Sequence, residues 1–187
     1  MIYRELSISG LMIAQAEPYV DERGVFKRTF CRDELQSIGF DLVISQCNSC
    51  YTSHLGTIRG IHYQMPPSAE SKLVRCTQGM IFDVVVDLRP ESETFLQTAA
   101  IQLEESDAFS LLIPERCGHA FQTLKDHTIV EYCSSVAHQR GKEGGIRWND
   151  PSLAIDWPLP LTKISDKDIN QPLLSSQLEQ LNQSMVI

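Results

Sequence analysis

Eight residues, Thr57-Ile-Arg-Gly-Ile-His-Tyr-Gln64, set an arginine, a histidine, a tyrosine and a glutamine around one glycine. A histidine in an alternating segment can ligate a metal, transfer a proton near neutral pH or fill a core. The arginine at 59 adds a planar fork suited to gripping phosphate at two points. The other suggestive spacing is Cys47-Asn-Ser-Cys50, that of a redox pair or half a zinc site. It has no second pair. With Cys31, Cys76, Cys117 and Cys133 scattered elsewhere, the cysteines read as buried reduced thiols.

Short extended elements must position these groups. Turn signals recur at Asp21-Glu-Arg-Gly24, Gly56, Pro66-Pro67, Gly79, Arg89-Pro90, Pro114 to Gly118 and Gly144-Gly145. Between them lie apolar or alternating runs at 81–88, 98–103, 109–113 and 128–136. In the first, Phe82, Val84, Val86 and Leu88 share one face, and Asp83, Val85 and Asp87 the other. Many short strands with turns between predict an antiparallel sandwich or barrel. A short helix is expected over about 33–38, with Asp33 as N-cap and Gly39 past its end. A second begins near Ser165, where Ser165-Asp-Lys-Asp168 has the form of a capping box. The expectation is one mainly-β domain over 1–187 with a few short helices, residues 165–187 forming a helical C-terminal segment.

The 187 residues suffice for one sizeable core, and 42% hydrophobic with 21% charged is ordinary for a globular chain. A formal net charge of −8 disfavours nucleic acid or an anionic membrane as a main partner, since both require a basic face. It leaves room for a small anionic ligand held by a local basic cluster. No apolar run is long enough to span a bilayer. The N-terminus lacks a basic region ahead of an apolar core, so a cytoplasmic location is expected.

A barrel of this kind raises the question of metal. Metal-binding cupins carry His-x-His with an acidic ligand, then a later histidine after a Pro-x-x-x-Gly turn. The later half is present as Pro114-Glu-Arg-Cys-Gly118-His119. The first half is not, because Tyr63 and Gln64 follow His62. Two histidines and at best one carboxylate make an incomplete ligand set for zinc or ferrous iron. No metal and no cofactor are expected, and His62 is left as a proton-transfer group or a structural histidine.

The stretch Gly56 to Gln64 resembles the signature of the nucleotide-sugar 4-keto 3,5-epimerases, the dTDP-4-dehydrorhamnose 3,5-epimerase family. The resemblance runs in order through Lys72-Leu-Val-Arg75, Gly79 to Arg89, Ile113 to Phe121 and Tyr132. It continues through Glu143 to Pro151, Ile155-Asp-Trp-Pro158 and Ile164 to Asp168. It implies a cupin-type jelly-roll barrel that works without metal, as a homodimer exchanging N-terminal strands, on a nucleotide-sugar substrate. A 4-keto sugar has acidic hydrogens on C3 and C5. Inverting either centre requires a base on one ring face, an acid on the other and positive charge near the enolate oxygen.

By this resemblance His62 is the base, with Asp168 orienting it. Tyr132 donates a proton from the opposite face and Lys72 stabilises the enolate. Taken as isolated residues, His62 fits a core histidine equally well, and Asp168 the acid of its capping box. Arg23, Gln46, Asn48 and Arg59 are implied to hold the nucleotide diphosphate. His119 and Asp83 are implied to line the sugar pocket. Phe26, Arg28, His138 and Lys167 complete the expected substrate-binding set. The chain departs from the family pattern in three places. Arg28 stands in Phe26-Lys-Arg-Thr-Phe30 where an acidic residue is usual. Ala137 and His138 replace a pair of tyrosines, one of which stacks on the base. Cys47 sits between Gln46 and Asn48 where Asp is common. The expected reaction converts dTDP-4-dehydro-6-deoxy-D-glucose to dTDP-4-dehydro-L-rhamnose. The alternatives are epimerisation at C3 or C5 alone on a CDP-, GDP- or UDP-linked sugar, and a cupin that binds nucleotide sugars without catalysis.

Overall fold

The computed structural model describes residues 1–186. Two sheets pack face to face. Strands β1 (Ile2–Glu5), β2 (Met12–Gln15), β5 (Gln46–Thr52), β7 (Lys72–Gln78), β10 (Phe109–Ile113) and β12 (Thr128–Ser134) build one, in the order β1-β2-β10-β7-β12-β5. Strands β6 (Ile58–Gln64), β8 (Met80–Asp87), β9 (Thr98–Glu104), β11 (Cys117–Thr123) and β13 (Glu143–Gly145) build the other, in the order β13-β6-β11-β8-β9. The hairpin of β3 (Tyr19–Asp21) and β4 (Gly24–Phe26) pairs only with itself. The sheet pairings are antiparallel. This is the mainly-β jelly roll expected, and the four predicted runs appear as β8, β9, β10 and β12.

Period-two patterning explains the layers. Ile81, Val85, Leu103, Leu111, Phe121 and Val130 meet between the sheets. Each fully buried aliphatic there contributes about 1.5–3 kcal/mol. The outer face of the five-stranded sheet carries Ile61, Val86, Leu88 and Ala120, and the C-terminal segment covers it with Leu174, Leu181 and Met185. Because both faces of β8 are covered, its two aspartates are fully buried, not on a wet face. Burial of such carboxylates requires partners. Asp83 receives His119, and Asp87 receives Arg89, Ser92 and Thr94.

Helix α1 (Arg32–Ser37) packs Leu35 on the outside of the six-stranded sheet beside Phe40 and Leu42. Its N-cap is Cys31, with no side-chain cap, and Asp33 lies inside the first turn. Placing the cap at Asp33 fails because the favourable acidic position extends through that turn. Gly39 (φ 80°) does end the helix, its N–H and that of Phe40 bonding back to Gln36 and Leu35. At the C-terminus a single turn, α2 (Asp166–Ile169), is followed by a 3-10 turn at Leu174–Ser176 and α3 (Leu178–Ser184). Pro172 separates them, since proline cannot donate to a continuing helix. Ile187, the last residue of the expected helical segment, lies outside the described residues.

Candidate active site

The open end of the sandwich between β5, β6, β7, β11, β12 and α2 holds a cavity of about 470 Å³. A second, of about 340 Å³, adjoins it and shares His62, Lys72, Tyr132 and Lys167.

On β6 the side chain of His62 points into both cavities. Its Nε2 lies 2.6 Å from Oδ1 of Asp168, a residue 106 positions later. Asp168 is held from three sides. Ser165 caps α2 by accepting the Asp168 backbone N–H at 3.1 Å. The Gly60 N–H donates to Asp168 Oδ2 at 3.2 Å, and His62 takes Oδ1. Ser165-Asp-Lys-Asp168 thus caps through the serine alone, while the aspartate carboxylate is spent on the histidine. Burial by itself would push the Asp168 carboxyl up. The His62 hydrogen bond and charge, with the Gly60 and Ser165 contacts, outweigh burial and hold it below the usual value. Glycine is required at position 60, where φ is 114°. A Cβ there would meet Ala120 Cβ and the His119 carbonyl oxygen at 2.6 Å, so only glycine lets β6 approach β11 this closely.

His119 pairs in register with His62 across β11 and β6. Its Nε2 is committed to both Asp83 oxygens at 2.9 Å. Asp83 therefore stands behind His119 and is not part of the cavity wall. Among the described residues no three His, Cys, Asp or Glu side chains are grouped to hold a metal ion.

Tyr132 faces His62 from β12 in the other sheet. Its half-buried hydroxyl bonds to no other described residue. Burial raises the phenol pKa, with smaller contributions from the Cys50 thiol and the Glu70 charge against an opposing one from Arg59. Lys72 is nearly buried, and its Nζ lies 3.1 Å from Glu70 Oε1, itself largely covered. Arg59 is tethered by Thr52 Oγ1 at 3.1 Å and the Tyr51 carbonyl at 3.4 Å, so its guanidinium stays at the rim. Gln46 donates to Asn48 Oδ1 at 2.9 Å and accepts the His138 backbone N–H at 3.0 Å. The buried Asn48 Nδ2 and Gln64 Nε2 have no partner among the described residues. Both residues line the second cavity, where a bound oxygen would satisfy these donors. His138 and Lys167 grip opposite oxygens of Glu143, at 2.6 and 3.0 Å.

His62, Asp168, Tyr132, Lys72, Arg59, Gln46, Asn48, His119, His138 and Lys167 are thus brought together. Arg23, Phe26 and Arg28 are not. Arg23 is clamped by Asp21 and Phe26 is 73% exposed on the free hairpin, while Arg28 pairs with Glu34. The structure adds Lys163 and Glu70 to the cavity walls, with Gln64 and Glu143, which lie within the quoted motifs but carry no expected site role. Lys163 had a signal in its place just before Ile164-Ser-Asp-Lys-Asp168, and a parallel bridge to Thr57 pins it beside β6. Arg59, Lys72, Lys163 and Lys167 make the first cavity wall basic in a chain of net charge −8.

Histidine–carboxylate on one wall, a tyrosine hydroxyl on the other and ammonium between them can move protons at a carbon acid whose oxyanion the lysine meets. The profile of the family described as dTDP-4-dehydrorhamnose 3,5-epimerase matches residues 5–176. A dTDP-4-dehydrorhamnose 3,5-epimerase of Methanothermobacter thermautotrophicus is 38% identical over 168 residues, 88% of this chain and 89% of that protein. The crystal structure of the Bacillus anthracis dTDP-4-dehydrorhamnose 3,5-epimerase, with TDP and PPi bound, superposes with a TM-score of 0.89 at 36% identity, covering 92% of this chain and 99% of the other. A Legionella pneumophila dTDP-6-deoxy-D-glucose-3,5-epimerase in complex with dTDP-4-keto-L-rhamnose gives 0.90 at 31% identity, covering 96% of each chain. The chain belongs to the dTDP-4-dehydrorhamnose 3,5-epimerase family.

Proposed function

We propose that the chain is an isomerase that epimerises a nucleotide diphosphate-linked 4-keto-6-deoxy sugar, dTDP-4-dehydro-6-deoxy-D-glucose, at C3 and C5 to dTDP-4-dehydro-L-rhamnose. The observation that carries this reading is the His62–Asp168 pair facing Tyr132 across a cavity walled by cations. His62, with one ring nitrogen held by Asp168, uses the other to take the acidic hydrogen beside the ketone. Asp168 fixes the ring and stabilises the imidazolium that forms. The enolate oxygen develops its charge toward Lys72. Tyr132, kept protonated by its buried position, returns a proton to the opposite ring face. The steps are proton transfers, with no net oxidation.

Arg59, Lys163 and Lys167 offer positive charge for the diphosphate. The unpartnered amides of Asn48 and Gln64 offer donors beside it. His138 lines the second cavity, and Ala137 and His138 take the place of the family's usual tyrosine pair, so a CDP-, GDP- or UDP-linked sugar is the competing substrate.

The partner of this site is a second copy of the chain. β1 and β2 lie in the chain's own sheet, paired through β10, which leaves the 19–26 hairpin as the N-terminal piece free to be donated. Tyr19, Val20, Val25 and Phe26 are each more than 60% exposed on it, an apolar surface that calls for a partner. Arg23 and Phe26 then reach the neighbouring copy's cleft instead of their own. Incubating the enzyme with dTDP-, CDP- and GDP-linked 4-keto-6-deoxy sugars in deuterium oxide tests the reading. Deuterium should enter C3 and C5 of the dTDP sugar. Exchange at one carbon only, or only with another nucleotide, would replace the stated reaction by a single-site or different-nucleotide epimerase.

A further inference from the structure

Cys47 and Cys133 lie directly opposite each other on β5 and β12. Their sulfur atoms are 3.2 Å apart and both thiols are free. Side chains alternate along β5, so Gln46, Asn48 and Cys50 face the cleft side of the sheet while Cys47 and Ser49 face away. Cys47 and Cys50 therefore point to opposite faces, and their Cys-x-x-Cys spacing makes no pair. The pair that the fold does make joins residues 86 apart. Opposed residues of an antiparallel ladder have Cα atoms about 4.5–5.5 Å apart. That falls inside the window of about 4.4–6.8 Å that a disulfide spans, so closing the bridge requires side-chain rotation and no rearrangement of the strands.

We propose that Cys47 and Cys133 form a redox-active dithiol that exchanges with a low-molecular-weight disulfide of the glutathione type and closes to a reversible intrachain disulfide. Cys47 is the exposed member. It loses its proton to solvent, and its thiolate attacks one sulfur of the small disulfide. The reagent's S–S bond breaks, one small thiol leaves, and a mixed disulfide remains on Cys47. Cys133 then gives up its proton and attacks the Cys47 sulfur, forming the intrachain bond and expelling the second small thiol. The two protein thiols lose two electrons and the one small disulfide is reduced to two thiols. Burial first, and then the contact with Cys47, push the Cys133 thiol up to about 11. Ring closure therefore quickens as pH rises. Cys47 stands between Gln46 and Asn48, and Cys133 follows Tyr132, so the bridge forms directly behind the cleft wall.

The test treats the full-length protein with oxidised glutathione at mildly alkaline pH. Free thiols are counted, the intact mass is measured and the linked peptides are mapped. Wild type should lose two thiols, retain no glutathione and yield one Cys47–Cys133 cross-link that dithiothreitol reverses. Cys133→Ser should stop at a glutathione adduct on Cys47, and Cys47→Ser should form no bridge. Should either variant fail to fold, the wild-type peptide map decides alone. An adduct that persists on wild-type Cys47, a bridge to any other cysteine, or no loss of thiols overturns the proposal.

Discussion

At the scale of single residues the reaction turns on where each proton goes. Asp168→Asn keeps the shape beside His62 but removes the charge that supports its imidazolium. The expected loss in kcat is about 10²–10⁴-fold, with KM little changed, read by steady-state kinetics. Tyr132→Phe removes only the acid. His62 should still take a hydrogen and return a deuteron to the same face, so NMR should show label entering unepimerised substrate while product formation fails. Glu70 contributes to the raised Tyr132 pKa. A donor with a raised pKa stays protonated through neutral pH and fails only as pH climbs past its ordinary value of about 10. Glu70→Gln should shift the alkaline limb of the kcat profile to lower pH, and an unmoved limb would remove Glu70 from the account. The pairing of His62 with Asp168 was not readable from spacing, since 106 residues separate them, and only resemblance joined them. Asp83 misled because alternation identifies a shared face of a strand but not what covers it.

At the scale of elements, two local devices deliver the dyad: the glycine that lets β6 close on β11, and the one-turn helix that Ser165 caps. Gly60→Ala should cost about 2 kcal/mol or more, from a side chain forced to φ 114° against backbone. Chemical denaturation would measure it. Ser165→Ala should cost about 1 kcal/mol yet lower kcat more than that stability loss explains, because α2 carries Asp168. The depressed Asp168 pKa sets an acid limit on the same contacts. Their contribution is complete above the ordinary carboxylate value of about 4 and is lost as pH falls through the lower folded value. The strands were legible because period-two runs bounded by glycine and proline leave few alternatives. The helix start at Cys31 and the break at Pro172 were not, since acidic residues favour a whole first turn and a short segment carries too little periodicity to reveal its interruptions.

At the scale of the whole molecule, the cleft of one chain lacks Arg23 and Phe26, which sit on a hairpin with no partner in its own body. What covers an exposed apolar hairpin is a property of the assembly, so periodicity and composition are silent on it. Light scattering should report a dimer. Mixing His62→Ala with Arg23→Ala subunits under conditions that exchange chains should restore activity to a fraction of the population, since one mixed cleft then has both residues intact. No recovery despite proven exchange would return Arg23 to a role within its own chain. Proton transfer through His62 on a 4-keto sugar can be read by proton NMR of dTDP-4-dehydro-6-deoxyglucose in deuterium oxide with wild type and His62→Ala side by side. Wild type should lose the C3 and C5 signals, and the variant should keep them. Exchange at the wild-type rate in folded His62→Ala would contradict that role of His62.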